Sequence, residues 1–308
     1  MPTTSRSVRR SRRPAARPTR PASRRRLLVA TTGELESRGA LRFAAALGDR
    51  FPDTSVLALG VSPPFPHDVT NMLSLEQPAL ADEEHRQKLL ETVRRVVADL
   101  PGAEGWDKMA VTGTPSDEIN RVAERLGATM VVIGLGRHRR LDRIFGSETA
   151  IDVMRHASVP VVAVPASTRS LPERALVAMD FTDASMAAAT LSAQLVPQQG
   201  VLYVAHVCPF LGGPTEPGDL IDLYRAGAQA KLDEVVGRIR GHADCAMETV
   251  LLEGEPADAI LKFAKRQRCG LIGLGGHEQG LLDRILLGSI RTKVLRGATC
   301  SVLIAPPR

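Results

Sequence analysis

Residues 270–289 read GLIGLGGHEQGLLDRILLGS, and residues 131–147 read VVIGLGRHRRLDRIFGS. Both place Ile-Gly-Leu-Gly ahead of Leu-Asp-Arg-Ile and then Gly-Ser. Working outward, Leu28-Val29-Ala30 returns as Leu176-Val177-Ala178, and Gly113-Thr-Pro115 as Gly254-Glu-Pro256. The offset is 148 at the start and settles at 139 to 142. Matched blocks in one order at a nearly constant offset signal a duplicated domain. The copies span 27–166 and 172–308, joined by the short polar segment Ala166–Leu171.

Each copy alternates short β-branched runs with longer helical patterns. The runs are Leu27–Thr31, Ser55–Val61, Lys108–Thr112, Met130–Ile133 and Val159–Val164, then Ala175–Met179, Val201–Val207, Glu248–Leu252, Gly270–Gly273 and Ser301–Ala305. Continuous apolar runs of this length read as strands buried on both faces. Between them, Ile119, Val122, Ala123 and Leu126 fall at i, i+3, i+4 and i+7, as do Ala257, Ile260, Leu261 and Ala264. That spacing makes one apolar stripe per helix. Strand–helix alternation implies parallel pairing through right-handed crossovers. The expected fold class is α/β: two tandem doubly wound domains, each a five-stranded parallel sheet flanked by helices.

The 308 residues carry 40 Lys+Arg against 34 Asp+Glu, a formal +6. Ten of those arginines lie in residues 1–26, which hold no acid, so the remaining 282 residues carry 30 bases against 34 acids, a net −4. The basic sign therefore belongs to an Arg-rich tail, expected to be disordered. Such a tail suits a nonspecific anionic partner, or is a plain unstructured extension. Aromatics make up only 3% of the chain, which argues against a stacking platform for single-stranded nucleic acid. No apolar run approaches the ~20 residues of a transmembrane helix, and no apolar segment follows the basic N-terminus as in a secretory signal. Cys208, Cys245, Cys269 and Cys300 form no CxxC pair, which fits reduced thiols in a cytoplasmic protein better than a zinc or dithiol site.

In open parallel sheets, ligands bind beyond the carboxyl ends of the strands. Three features of the second copy fall there. Asp180 follows its first strand; a carboxylate there accepts hydrogen bonds from an exocyclic amine or a ribose hydroxyl, or caps the next helix. Val207 ends the second strand, where its backbone can read a base edge or simply continue the core. Gly273, Gly276, Gly288 and Ser289 precede a helix over Ile290–Arg296, whose first turn offers free N–H groups to phosphate. There is no P-loop, no HExxH and no Gly-x-Ser-x-Gly, and no general base can be assigned. Arg137, His138, Arg139, Arg140 and Arg143 crowd the first glycine loop, whereas the second has His277, Glu278 and Gln279. The two loops should not prefer the same ligand.

The alternation, the Asp after the first strand, the Gly-rich loop with Gly-Ser, and the ending VLRGATCSVLI (294–304) resemble the universal stress protein family over 27–308. The resemblance implies ATP or another adenine nucleotide as ligand, with or without Mg²⁺, in a cytoplasmic stress-response or regulatory protein. The nucleotide-binding branch of that family carries Gly-x2-Gly-x9-Gly-Ser/Thr for phosphates and ribose, an Asp near adenine, and a backbone contact from the second strand. Carried over, these are Asp180, Val207, Gly273, Gly276, Gly288 and Ser289. The first copy offers Gly134, Gly136, Gly146 and Ser147, with Thr32 in place of Asp180. Spacing departs from the pattern in both: eleven residues separate Gly276 from Gly288, and one separates Gly134 from Gly136. The second copy is the better nucleotide site and the first the degenerate one. A different class of function also fits: a protein-interaction module with vestigial pockets and an unidentified protein partner. The two copies can pair with each other like a homodimer, or the chain can itself dimerise. Weak ATP hydrolysis stays open.

Overall fold

A computed structural model describes residues 25–64, 78–136, 147–208, 218–276 and 290–307. The first half runs β1 (Arg25–Ala30), α1 (Arg38–Arg50), β2 (Thr54–Ser62), α2 (Pro78–Ala98), β3 (Asp107–Thr112), α3 (Pro115–Leu126), β4 (Met130–Leu135), α4 (Ser147–His156) and β5 (Val161–Pro165). The second runs β6 (Arg174–Ala178), α5 (Asp183–Leu195), β7 (Val201–Cys208), α6 (Gly218–Ile239), β8 (Ala246–Glu253), α7 (Pro256–Arg266), β9 (Leu271–Gly275), α8 (Ile290–Gly297) and β10 (Ser301–Ala305). The α/β class with parallel sheets and flanking helices is thus the observed one.

All strands form one ten-stranded sheet in the order β3-β2-β1-β4-β5-β10-β9-β6-β7-β8. Every pairing is parallel except at the centre, where β5 meets β10 antiparallel with Val162 opposite Leu303. Each half therefore keeps its own five-stranded parallel order, and the two fuse edge to edge.

Alternation along the strands explains the layers. Leu27 and Val29 point to one face, where α1, α2, α5 and α6 pack; Leu28 and Ala30 point to the other, under α3, α4, α7 and α8. Both apolar layers run unbroken from one half into the other. The helices start where local chemistry says they should. In α3, Pro115 opens the helix and Asp117 and Glu118 face its positive end, while Gly127 closes it at φ 62°. In α7, the Glu255 side chain accepts a hydrogen bond from Asp258 N at 3.0 Å. Its buried stripe contains Ala257, Ile260, Phe263 and Ala264; Leu261, expected there, is half-buried beside Gly297.

Nine of the ten strands start or stop one or two residues from the expected bounds, and β1 and β9 show why. β1 begins two residues before Leu27, because Arg25 and Arg26 have partners in the folded body. Arg25 Nη2 donates to Gln194 Oε1 at 3.2 Å across the seam between halves, and its guanidinium lies 3.8 Å from the Phe51 ring centroid. Arg26 Nη1 donates to Leu126 O at the end of α3. β9 runs through Gly273 to Gly275, since Gly273 pairs with both Val177 and Leu303.

All four cysteines are free, and Cys208, Cys245 and Cys269 are buried. Burial, helped by neighbouring Cys300, pushes the Cys269 thiol up to about 12, and burial pushes Cys300 up to about 11. Raised thiol values favour the fold while the unfolded chain is also protonated, below about pH 9. That contribution is lost as pH climbs from there through the folded values. The urea midpoint should accordingly fall between about pH 8 and about pH 11, and Cys269→Ala should flatten the fall. An unchanged pH profile in Cys269→Ala would remove this account.

Candidate functional site

The sheet order within the second half has its topological switch between β6 and β9: from β6 the chain proceeds outward to β7, and β9 returns on the other side. Ligand crevices in open α/β sheets lie beyond the carboxyl ends at such a point. Asp180 sits two residues past β6, exposed. Its Oδ1 accepts hydrogen bonds from Thr182 N at 3.0 Å and Thr182 Oγ1 at 2.5 Å. Thr182 is in turn the N-cap of α5, its Oγ1 accepting from Ser185 N at 3.3 Å. The cap is thus Thr182, and Asp180 orients the capping residue.

The glycines divide by role. Gly273 is buried within β9, and a side-chain carbon there would stand 2.5 Å from Ser192 Oγ on α5. Its missing side chain lets the helix lie on the strand, and Gly273 belongs to the strand rather than to the loop beyond it. Gly275 ends β9 against the start of α5, where an added carbon would lie 2.6 Å from Ser185 N and 3.0 Å from Ala184 C. Gly276 follows, its N–H donating to Ala305 O at 2.5 Å. Asp180 and Gly275 therefore flank one helix start, while Gly276 lies against Ala305 and Pro306 at the end of β10. Val207, half-buried on β7 beside Leu252, lies on the next strand over. Gly288 and Ser289 lie outside the described residues, and α8 begins directly after them at Ile290.

In the first half, Gly134 is inside β4, Gly136 is buried just past it, Gly146 lies outside the described residues, and Ser147 opens α4. Sheet register corrects the pairing of the two repeats here. Thr31 N donates to Leu59 O as Met179 N does to Ala205 O, which makes Ala30 and Ala178 counterparts. Ala30 lies beside Ile133, and Ala178 beside Leu274. The counterpart of Gly134 is therefore Gly275, not Gly273, and each packs where the helix after the first strand of its half begins: Gly134 against Glu36 and Ser37 ahead of α1, Gly275 against Ala184 and Ser185 of α5. The repeated Ile-Gly-Leu-Gly string matches best two residues out of structural register. Thr32, at the Asp180 position, accepts at Oγ1 from Glu34 N at 3.1 Å.

Three residues at this edge carry no sequence motif. Phe181 has φ 65°, a left-handed conformation that costs a non-glycine residue about 1–2 kcal/mol. Its ring lies 4.8 Å from that of His206 on β7, and Lys231 Nζ stands 5.4 Å above it. His206 Nδ1 is 2.7 Å from Met179 O, and Nε2 is 2.9 Å from the Tyr224 hydroxyl. A carbonyl only accepts, so Nδ1 carries the proton; in the neutral ring Nε2 accepts from Tyr224. Burial raises the Tyr224 phenol, which keeps it protonated as that donor. His206 and Tyr224 are 18 residues apart on different elements, so no spacing in the sequence links them. Among the described residues no group of three or more His, Cys, Asp or Glu could hold a metal ion.

A family model described as the universal stress protein family matches residues 23–165 and again 172–306. A universal stress protein of Methanocaldococcus jannaschii is 31% identical over 141 residues, covering 44% of this chain and 82% of its own length. One from Mycolicibacterium smegmatis is 27% identical over 233 residues, 73% of this chain and 78% of its own. Among solved structures, a universal stress protein from Archaeoglobus fulgidus superposes with a TM-score of 0.63 at 20% identity, covering 92% of this chain and 98% of that one.

Proposed function

The chain is a tandem member of the universal stress protein family, and from that premise we propose that its second half binds an adenine nucleotide beyond the carboxyl ends of β6, β7 and β9. One observation carries the reading: Asp180 and Gly275 flank the same helix start at the topological switch. Asp180 would face the base or ribose, the Val207 backbone the base edge, and Gly275, Gly276, Gly288 and Ser289 the phosphates. The strand end supplies the count. From Gly275 the chain reads Gly275-x2-Glu278-x9-Gly288-Ser289, the family spacing with Glu278 in place of the second glycine. The first half, counted from Gly134, reads Gly134-x2-Arg137-x8-Gly146-Ser147, one residue short. Its site is the weaker.

The ligand is ATP or another adenine nucleotide, with or without Mg²⁺, and the protein acts as a cytoplasmic stress-response or regulatory protein. Among the described residues no helix is long and apolar enough to cross a membrane. A nucleotide held only by the folded state would stabilise it by mass action. We assign no hydrolysis. Equilibrium titration with ATP tests the site: Asp180→Ala should bind roughly tenfold more weakly, the worth of one charge-assisted hydrogen bond. Equal binding by wild type and Asp180→Ala would overturn it. Glu278, a negative charge at a glycine position of the phosphate pattern, favours the second reading, an interaction module with vestigial pockets. Absence of ATP binding at about millimolar concentration would select that reading.

A further inference from the structure

We propose that the chain carries one nucleotide site rather than two, because at the second half's edge a wedge of Phe181, His206 and Tyr224 supports a carboxylate, Asp180, where the first half has the hydroxyl of Thr32 backed by its own helix. The one-site statement rests on the nucleotide reading above; the wedge itself does not.

The register identifies the counterparts. Thr31 and Met179 are equivalent, so Gly33 corresponds to Phe181, and both are left-handed, at φ 78° and 65°. Leu59 and Ala205 are equivalent, so Gly60 corresponds to His206. The first half thus lacks a side chain at both positions. There α2 leans onto the sheet: Thr92 Cγ2 occupies the space a carbon on Gly33 would need, and Leu89 Cγ and Val93 Cγ2 lie 2.8 and 3.1 Å from the carbon position at Gly60. In the second half two rings fill the same space, Phe181 on His206, with Tyr224 of α6 bonded to the imidazole.

The consequence falls on the residue between. Asp180 lies between Met179, whose carbonyl His206 holds, and Phe181, whose ring His206 supports. Phe181's left-handed backbone turns Thr182 N back toward the Asp180 carboxylate. His206 and Phe181 are therefore positioning residues for Asp180. The first half makes the same turn without a carboxylate: Thr32 Oγ1 accepts from Glu34 N across left-handed Gly33, and Thr31 Oγ1 accepts from Gly33 N and meets Ser37 Oγ at 2.7 Å.

Two measurements on the full chain decide the matter. Calorimetric titration with ATP should give one site per chain, and Phe181→Gly should weaken it at least tenfold although glycine suits that backbone better. His206→Asn, whose amide can still donate to Met179 O, should retain more affinity than His206→Ala. Amide hydrogen exchange of the ligand-free protein should show Thr182 N–H exchanging at least tenfold faster in Phe181→Gly and His206→Ala. Two sites per chain, or unchanged affinity in both variants, would overturn the inference. Unchanged Thr182 exchange would overturn the wedge whether or not ATP binds. Absence of ATP binding together with faster exchange would overturn the nucleotide reading and its one-site corollary, and leave the wedge established.

Discussion

Gly39→Ala should cost more than about 3 kcal/mol of stability, enough to shift the unfolding midpoint far outside ordinary mutational scatter. Gly39 is the second residue of α1 and is buried. A side-chain carbon there would overlap Pro165 O and stand 2.8 Å from Pro165 C and 3.1 Å from Ala166 Cα. These are backbone atoms at the end of β5, so no rotamer change can relieve the clash. Either α1 retreats and opens the layer around Leu41, Phe43 and Leu47, or β5 moves at the seam. Gly48 on the same helix is the control, since a carbon there meets nothing within 4 Å. Gly48→Ala should stabilise by roughly 0.5–1 kcal/mol through helix propensity alone. Urea unfolding of the two variants checks both signs. A Gly39→Ala protein within about 0.5 kcal/mol of wild type would refute the close approach of α1 to β5.

Val162→Asp should be the second large effect. Val162 is fully buried, paired with Leu303 across the β5–β10 seam, and faces the layer shared by both halves. An aspartate there leaves a buried charge without a partner, which costs about 3–5 kcal/mol or forces the carboxyl to stay protonated. Because both apolar layers cross the seam, wild type should unfold in one transition. Val162→Asp should lower its midpoint sharply or split it in two. The ion pair Arg296–Glu148 also links the halves, but its side chains are 58% and 69% exposed. Removing it should cost less than about 1 kcal/mol. A Val162→Asp chain that unfolds like an Arg296→Ala chain would mean the seam contributes little.

Much of the fold was legible from residue types. Each of the ten runs became a strand; the inner ones are apolar because both faces are buried, whereas the edge strands β3 and β8 are mostly exposed or half-buried and carry polar residues. Of the stripe Ile119, Val122, Ala123 and Leu126, the first three are buried as the spacing requires and Leu126, at the helix end, is half-buried. Where reading failed, a distant partner was the reason. Arg25 and Arg26 look like the tail that precedes them, yet Gln194, Phe51 and Leu126 draw them into β1. The Gly273 string resembles the start of a loop, yet Val177 and Leu303 extend β9 through it. Of the candidate site, Asp180 and the strand-end glycines were visible as residues. The shared approach of Asp180 and Gly275 to the start of α5 was not. His206 and Tyr224 had no visible signal, since they meet only when β7 and α6 pack.

The sequence by itself determined the duplicated α/β class, the element order and the residue types available at the strand ends. These depend on burial periodicity and local capping, which act within a few residues. Only the tertiary structure decided that β5 pairs with β10, that Gly134 is matched by Gly275, and that Phe181, His206 and Tyr224 meet next to Asp180. Those outcomes depend on register and on contacts between elements far apart in the chain. A two-residue shift keeps every strand side chain on its own face, so hydrophobic alternation alone does not distinguish one such register from the next.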